Sequence, residues 1–157
     1  RGKTCVLLDE FQRKHKRQAY HIEEGGGRME GKSDCRQVLG RKGEDIACER
    51  LMEMGHTVLE RNWRSGHLEI DIISFDPDGI HFVEVKSRRH NIQAPPQENV
   101  DRMKQKRITK AATAFLRTSK GLPYGNHECH FDIMAVTFEG DAFRTEWFPQ
   151  AYIPLYI

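Results

Sequence analysis

Asp71, Glu84 and Lys86 bring two carboxylates and an ammonium into two neighbouring apolar, β-branched runs, Leu68 to Phe75 and Ile80 to Ser87. Paired carboxylates present hard oxygen donors, which suit Mg²⁺ or Mn²⁺. An adjacent lysine can orient a water or hold a phosphate oxygen. A cation that polarises a phosphate and sharpens a water nucleophile is a common route to phosphodiester hydrolysis. These residue types therefore point to metal-dependent chemistry on a phosphate backbone, provided that the fold brings them together.

The turn signal Asp76-Pro77-Asp78-Gly79 separates the two runs and predicts a hairpin with Phe75 facing Ile80. Counting back places Asp71 opposite Glu84 and Glu69 opposite Lys86. Strand side chains alternate by face. Glu69, Asp71, Ile73 and Phe75 are then expected on one face with Ile80, Phe82, Glu84 and Lys86, and Ile70, Ile72, Val83 and Val85 on the other. A slip of one residue would set Asp71 beside valines, so the apolar pattern selects this register, although Pro-Asp-Gly also suits a three-residue loop with a bulge. Like charges directly opposite destabilise a strand pair, their Cβ atoms lying about 4.5–5.5 Å apart. A bound cation would relieve that repulsion. The same charges would also suit an exposed edge hairpin in which Lys86 bridges Glu84 or Glu69.

Apolar spacing predicts a helix over Arg36 to Met54 that ends at Gly55, a strand over His56 to Arg61, a turn at Arg64-Ser65-Gly66 and then the hairpin. A second helix is expected from Asn99 to Arg117, followed by strands near 128–138 and 142–148. The order αβββαββ gives one α/β domain with a mixed sheet of about five strands flanked by helices. The first helix is expected to cover the hairpin face that carries Ile73, Phe75 and Phe82. It would bring Glu44 toward the carboxylates, or leave it as a surface residue. Residues 1–34, with a basic run and Gly25 to Gly27, are expected to be a flexible extension preceding a domain over 35–157, and Met29 is a candidate first residue.

The chain has 157 residues, 38% hydrophobic and 31% charged, with a net charge of +2. No apolar run approaches the roughly 20 residues of a spanning helix, so no membrane partner and a cytoplasmic location are expected. The charge is uneven. Between Lys86 and Lys120 the acidic residues are Glu98 and Asp101, against a run of basic ones. This favours a polyanion, with Arg64, Arg88, Arg89, Lys104, Lys106, Arg107 and Lys110 as candidate backbone contacts. A solvated helix face is the bland alternative. Arg61, Trp63 and Arg64 suit nucleic-acid contact, and Trp63 equally suits a core position. Cys5, Cys35, Cys48 and Cys129 have no zinc spacing and are expected as free thiols, Cys48 in the core. His127-Glu128-Cys129-His130 is read as ordinary strand sequence, because its histidines, three apart, point to opposite faces.

Several blocks in order, Gly43-Glu44-Asp45-x-Ala47, Leu51-x-x-x-Gly55, Arg61-Asn62-Trp63-Arg64, Leu68 to Ile73 and Phe82 to Arg88, resemble the YraN-type family of bacterial proteins. That family looks like a relative of archaeal Holliday junction resolvases within the PD-(D/E)XK, restriction-endonuclease-like superfamily. The resemblance covers about Gly40 to Tyr152. It implies a restriction-endonuclease-like core and a Mg²⁺- or Mn²⁺-dependent endonuclease acting on structured or branched DNA. Asp71 and Glu84 match the metal-binding carboxylates, Lys86 the catalytic lysine, and Glu44 the further acidic residue of resolvase-like members. Glu69 is a supporting residue. His67-Leu68 stand where the family shows Gly before Glu, which would lengthen the turn by one residue. The superfamily also contains proteins that bind nucleic acid without cutting it, and such a binding module is the alternative. A homodimer would suit cleavage of two strands, and the apolar segment Ala151 to Ile157 would serve either that interface or the core.

Overall fold

The computed structural model describes residues 31–90 and 101–153. The extension assigned to residues 1–34 falls outside them, apart from its last four positions. Those positions open the first helix, α1 (Gly31–Glu53), five residues earlier than the apolar spacing suggested. Its far end follows from Gly55, whose φ of 95° is open to glycine at little steric cost. There the Gly55 amide donates to Met52 O at 3.0 Å and the His56 amide to Leu51 O at 3.0 Å. This pair of bonds satisfies the last helical carbonyls and turns the chain into the sheet.

The strands are β1 (Thr57–Ser65), β2 (Leu68–Asp76), β3 (Gly79–Arg89), β4 (Cys129–Glu139) and β5 (Ala142–Phe148), with α2 (Arg102–Leu116) between β3 and β4. The order αβββαββ stands. Neighbours in the sheet follow chain order, β1-β2-β3-β4-β5. Only β3 and β4 are parallel, the others being antiparallel. A parallel pair needs a crossover, and α2 lies in it. The first strand runs to Ser65 rather than Arg61, because it pairs with β2 as far as Ser65↔Leu68. The turn is Gly66-His67, a tight two-residue connection and not a lengthened one.

The hairpin register is the expected one: Phe75↔Ile80, Ile73↔Phe82 and Ile72↔Val83. Two cores follow from the alternation of faces. One joins Ile46, Ala47, Cys48 and Leu51 of α1 to Ile72, Val83, Met134 and Val136. The other joins Ile108, Ala111, Ala112 and Phe115 of α2 to Ile73, Ile80, Phe82 and Phe131. The face carrying Ile73, Phe75 and Phe82 is therefore covered by α2, and the expectation that α1 covers it is corrected. The apolar stripe of α1 meets the Ile72–Val83 face instead. Ile70 also departs from the simple alternation and packs with Trp63 and Leu68 on the α2 side. Pairing of β2 with β3 stops at Ile72↔Val83, so Ile70 belongs to a β1–β2 ribbon, where twist is larger. Ala151 and Tyr152 complete the α2-side core: the Ala151 amide donates to Phe131 O at 2.9 Å and the Tyr152 ring lies 5.6 Å from that of Phe131. Residues 154–157 lie outside the described part.

Candidate active site

The site forms where β2 leaves β3. Beyond Ile72↔Val83 the main-chain ladder ends, and the Asp71 carboxylate takes over: its Oδ2 accepts the Val85 amide at 2.8 Å. The side chain thus lies between the strands beside Glu84. Burial and the charge of Glu84 are the largest influences on Asp71, and together with Glu44 they raise its carboxyl from 3.8 to about 7, against the Val85 amide and Lys104, which act the other way. Proton uptake by crowded, buried carboxylates is the usual response to unrelieved like charge.

Glu84 is buried, with 8% of its side chain exposed, and its Oε1 holds two ammonium groups. Lys86 Nζ is 3.3 Å away on the same strand face, and Lys104 Nζ, from the first turn of α2, is hydrogen-bonded to the same oxygen. Asp101 caps α2 by accepting the Lys104 amide at 2.7 Å, which fixes the turn that delivers the side chain. Burial works against the charge on Lys104, but Glu84 outweighs it and the ammonium is held more firmly than usual.

Glu44 reaches this region from α1. Its Oε2 accepts Asn62 Nδ2 at 2.9 Å, and Asn62 has a φ of 48° within β1. Next to it Arg61 donates to Asp45 at 2.5 Å. The preceding residue, Gly43, is buried, and a Cβ there would lie 1.8 Å from Ser87 Oγ. A side chain at position 43 would displace the Ser87 hydroxyl and tighten the contact between α1 and β3 at Ser87 Cβ, 3.0 Å away.

Asp71, Glu84 and Lys86 are therefore brought together, with Glu44 near enough to act on Asp71 electrostatically. Glu69 is not part of the cluster. It faces Arg64 across the β1–β2 pair and accepts from it at 2.8 Å, on an exposed surface. Of the basic residues expected along a backbone, Lys104 belongs to the carboxylate cluster, which spacing alone did not reveal. Arg88 is half-buried and donates to Thr137 Oγ1 at 3.2 Å. Arg89, Lys106, Arg107 and Lys110 are exposed, the last three on the outer side of α2. Trp63 lies edge-on to Phe115 with ring centroids 5.6 Å apart and belongs to the core cluster. Cys35, Cys48 and Cys129 are free thiols, and burial pushes the Cys48 thiol up to about 11. Cys5 lies outside the described residues. His127 precedes β4 and packs on Phe75, whereas His130 is buried and stacked on His81.

Asp71 and Glu84 supply the hard oxygen donors that a divalent cation such as Mg²⁺ takes, and among the described residues Glu44 does not close with them into a three-ligand group within 4.8 Å. Asp71 Oδ1 has no hydrogen bond or ion pair among the described residues, and burial beside Glu84 raises the Asp71 carboxyl, so its negative charge is poorly compensated. Asp71 and Glu84 would hold the ion, while Glu44, bonded to Asn62, acts on Asp71 through its charge.

The family model described as "Uncharacterised protein family UPF0102" matches residues 43–136, which includes Glu44, Asp71, Glu84, Lys86 and Lys104. The chain belongs to the UPF0102 family. It is 39% identical over 122 residues to a UPF0102 protein of Anaeromyxobacter dehalogenans, covering 78% of this chain and 89% of that one. It is 37% identical over 116 residues to a UPF0102 protein of Stutzerimonas stutzeri, covering 74% and 95%. A UPF0102 protein of Bacteroides thetaiotaomicron is 37% identical over 117 residues, covering 74% and 93%. UPF0102 is the YraN family, of the PD-(D/E)XK-like nuclease superfamily. The five-stranded mixed sheet with its two helices is consistent with the restriction-endonuclease-like core of that superfamily. No described helix is long and apolar enough to cross a membrane.

Proposed function

We propose that this UPF0102 protein is a Mg²⁺- or Mn²⁺-dependent endonuclease that hydrolyses phosphodiester bonds in nucleic acid. The observation that carries the reading is the Asp71 carboxylate accepting the Val85 amide next to Glu84, where β2 and β3 separate, with Lys86 on Glu84. When bound, the cation would polarise the scissile phosphate and lower the pKa of a coordinated water. Lys86, half-buried and tethered by Glu84, presents the remaining donors of its ammonium to a water or a phosphate oxygen. Glu44, held by Asn62, adds negative charge behind Asp71. The exposed Lys106, Arg107 and Lys110 lie on the helix that supplies Lys104 to Glu84, so a phosphate backbone tracking α2 would be led to the carboxylates. Structured or branched DNA is the proposed substrate, by the resemblance to junction resolvases, and a homodimer and a cytoplasmic location are proposed with it.

One observation favours a second reading, a module that binds nucleic acid without cutting it: the Lys104 and Lys86 ammonium groups already neutralise the Glu84 carboxylate through its Oε1. The two readings separate on labelled four-way-junction, flap, single-stranded and duplex DNA, assayed with Mg²⁺ or Mn²⁺ and with EDTA. Products that require the cation and vanish in Asp71→Ala support the enzyme. Salt-sensitive binding without products supports the module.

A further inference from the structure

Another cluster of ligand-bearing side chains lies on the α1 side of the sheet, at the turn end of the β2–β3 hairpin. His56, just after α1, Asp76, at the end of β2, and His81, early in β3, converge with ligand atoms all within 4.8 Å of one another. His56 Nε2 is 3.5 Å from Asp76 Oδ2, and His81 Nε2 is 3.0 Å from Asp76 Oδ1. Both imidazoles are almost wholly buried.

The other nitrogen of each ring is already occupied. His81 Nδ1 lies 2.6 Å from Asp132 Oδ2, and His56 Nδ1 lies 3.1 Å from Ser74 Oγ. Asp132 is fully buried and is itself oriented by the Gln150 amide, which donates to its Oδ1 at 2.7 Å. Asp76 is oriented by the amides of Asp78 and Gly79, at 2.8 and 3.2 Å from its Oδ1. A carboxylate or hydroxyl behind each histidine is the outer shell that metal-ligating histidines carry, and an ion would replace the hydrogen bond that now joins His81 Nε2 to Asp76 Oδ1. An ion held at about 2.0–2.2 Å by tetrahedral N and O donors separates those donors by about 3.4 Å. His56 and His81 lie at 3.5 and 3.0 Å from different oxygens of Asp76, and all three ligand atoms fall within 4.8 Å, so small side-chain shifts would close the set on an ion. Imidazole nitrogens select zinc and its first-row neighbours over Mg²⁺. Asp76 keeps 17% of its side chain exposed, so water can reach a fourth position.

We propose that His56, Asp76 and His81 form a binding site for a divalent transition cation of the zinc type, separate from the carboxylates at Asp71 and Glu84. By joining the segment after α1 to both arms of the hairpin, the ion would stabilise the turn end of the sheet.

The test is zinc binding by the full chain. The protein is stripped with a chelator, passed over gel filtration and titrated with Zn²⁺ against a chromophoric chelator in excess Mg²⁺. It is compared with Asp71→Asn/Glu84→Gln, in which the carboxylate site is removed, and with His56→Gln and Asp76→Asn made in that background. Circular dichroism verifies each fold, and His56→Gln is the milder change because His56 bonds only one side chain through Nδ1. The expected result is one zinc per chain in wild type and in the carboxylate variant, a raised unfolding midpoint with zinc, and binding weakened at least tenfold in folded His56→Gln. Co²⁺ in place of zinc is expected to show the visible absorption of a tetrahedral N/O site. Zinc binding that disappears with the carboxylates, that is unchanged in folded His56→Gln, or that is absent from wild type would overturn the proposal. The first of these outcomes concerns the carboxylate site alone, so failure here is distinct from failure of the nuclease reading.

Discussion

Replacing Asp71 by Asn removes the charge that the site resists and keeps its shape. The Asp71 carboxyl rises from 3.8 to about 7, chiefly through burial and the neighbouring Glu84. Because the folded protein holds this proton more tightly than the unfolded chain, the stabilisation is complete below pH 4 and is lost as pH rises through about 7. At 1.36 kcal/mol per pKa unit, ionised Asp71 costs about 4 kcal/mol at pH 8 without a cation. Asn is neutral at every pH, and its Oδ1 can still accept the Val85 amide. Urea unfolding in EDTA should therefore find Asp71→Asn more stable than wild type by about 2–4 kcal/mol at pH 8, with the gap falling below about 1 kcal/mol at pH 4. Mg²⁺ at one hundred times its Kd should return about 2.7 kcal/mol to wild type at pH 8 and much less to the variant. Equal stability of the two proteins at pH 8 in EDTA, or equal responses to Mg²⁺, would refute the argument that Asp71 and Glu84 form a cation-seeking pair.

Gly43→Ala should destabilise the protein by about 1–3 kcal/mol through overpacking against Ser87; adding Ser87→Gly should recover most of the loss in a denaturant titration. Lys104→Gln removes one ammonium from Glu84, so calorimetry should show several-fold tighter Mg²⁺ binding. Changing Lys106, Arg107 and Lys110 together to Ala should lower the slope of log K against log salt for duplex DNA by up to about 2.7, if each meets one phosphate. An unchanged slope would remove this side of α2 from the interface.

The hairpin was legible because alternation and the Asp-Pro-Asp-Gly turn admit one register that buries the apolar residues, and Phe75↔Ile80 follows from it. Continued past Ile72↔Val83, that register brings Asp71 to the neighbourhood of Glu84. Which helix covers which face was not legible. Both helices carry apolar stripes, and the choice depends on the parallel β3–β4 crossover, a long-range pairing that local periodicity does not encode. Lys104 was hidden among like residues on α2, since only the packing of that helix aims it at Glu84. The histidine cluster was missed because its members come from three segments. Spacing along one strand points to His127 and His130, whereas the convergence is across strands, at His56, Asp76 and His81.

The central claim is tested most directly by cleavage of a labelled four-way junction, beside duplex, flap and single-stranded DNA, by wild type, Asp71→Ala and Lys86→Ala. Each is assayed with Mg²⁺ or Mn²⁺ and again with EDTA. Products are expected from wild type with the cation, and from neither variant nor any EDTA control, while the variants keep salt-sensitive binding. Wild type that binds but releases no product with either cation, or cleavage that persists in Asp71→Ala, would contradict the assignment of these residues to phosphodiester hydrolysis.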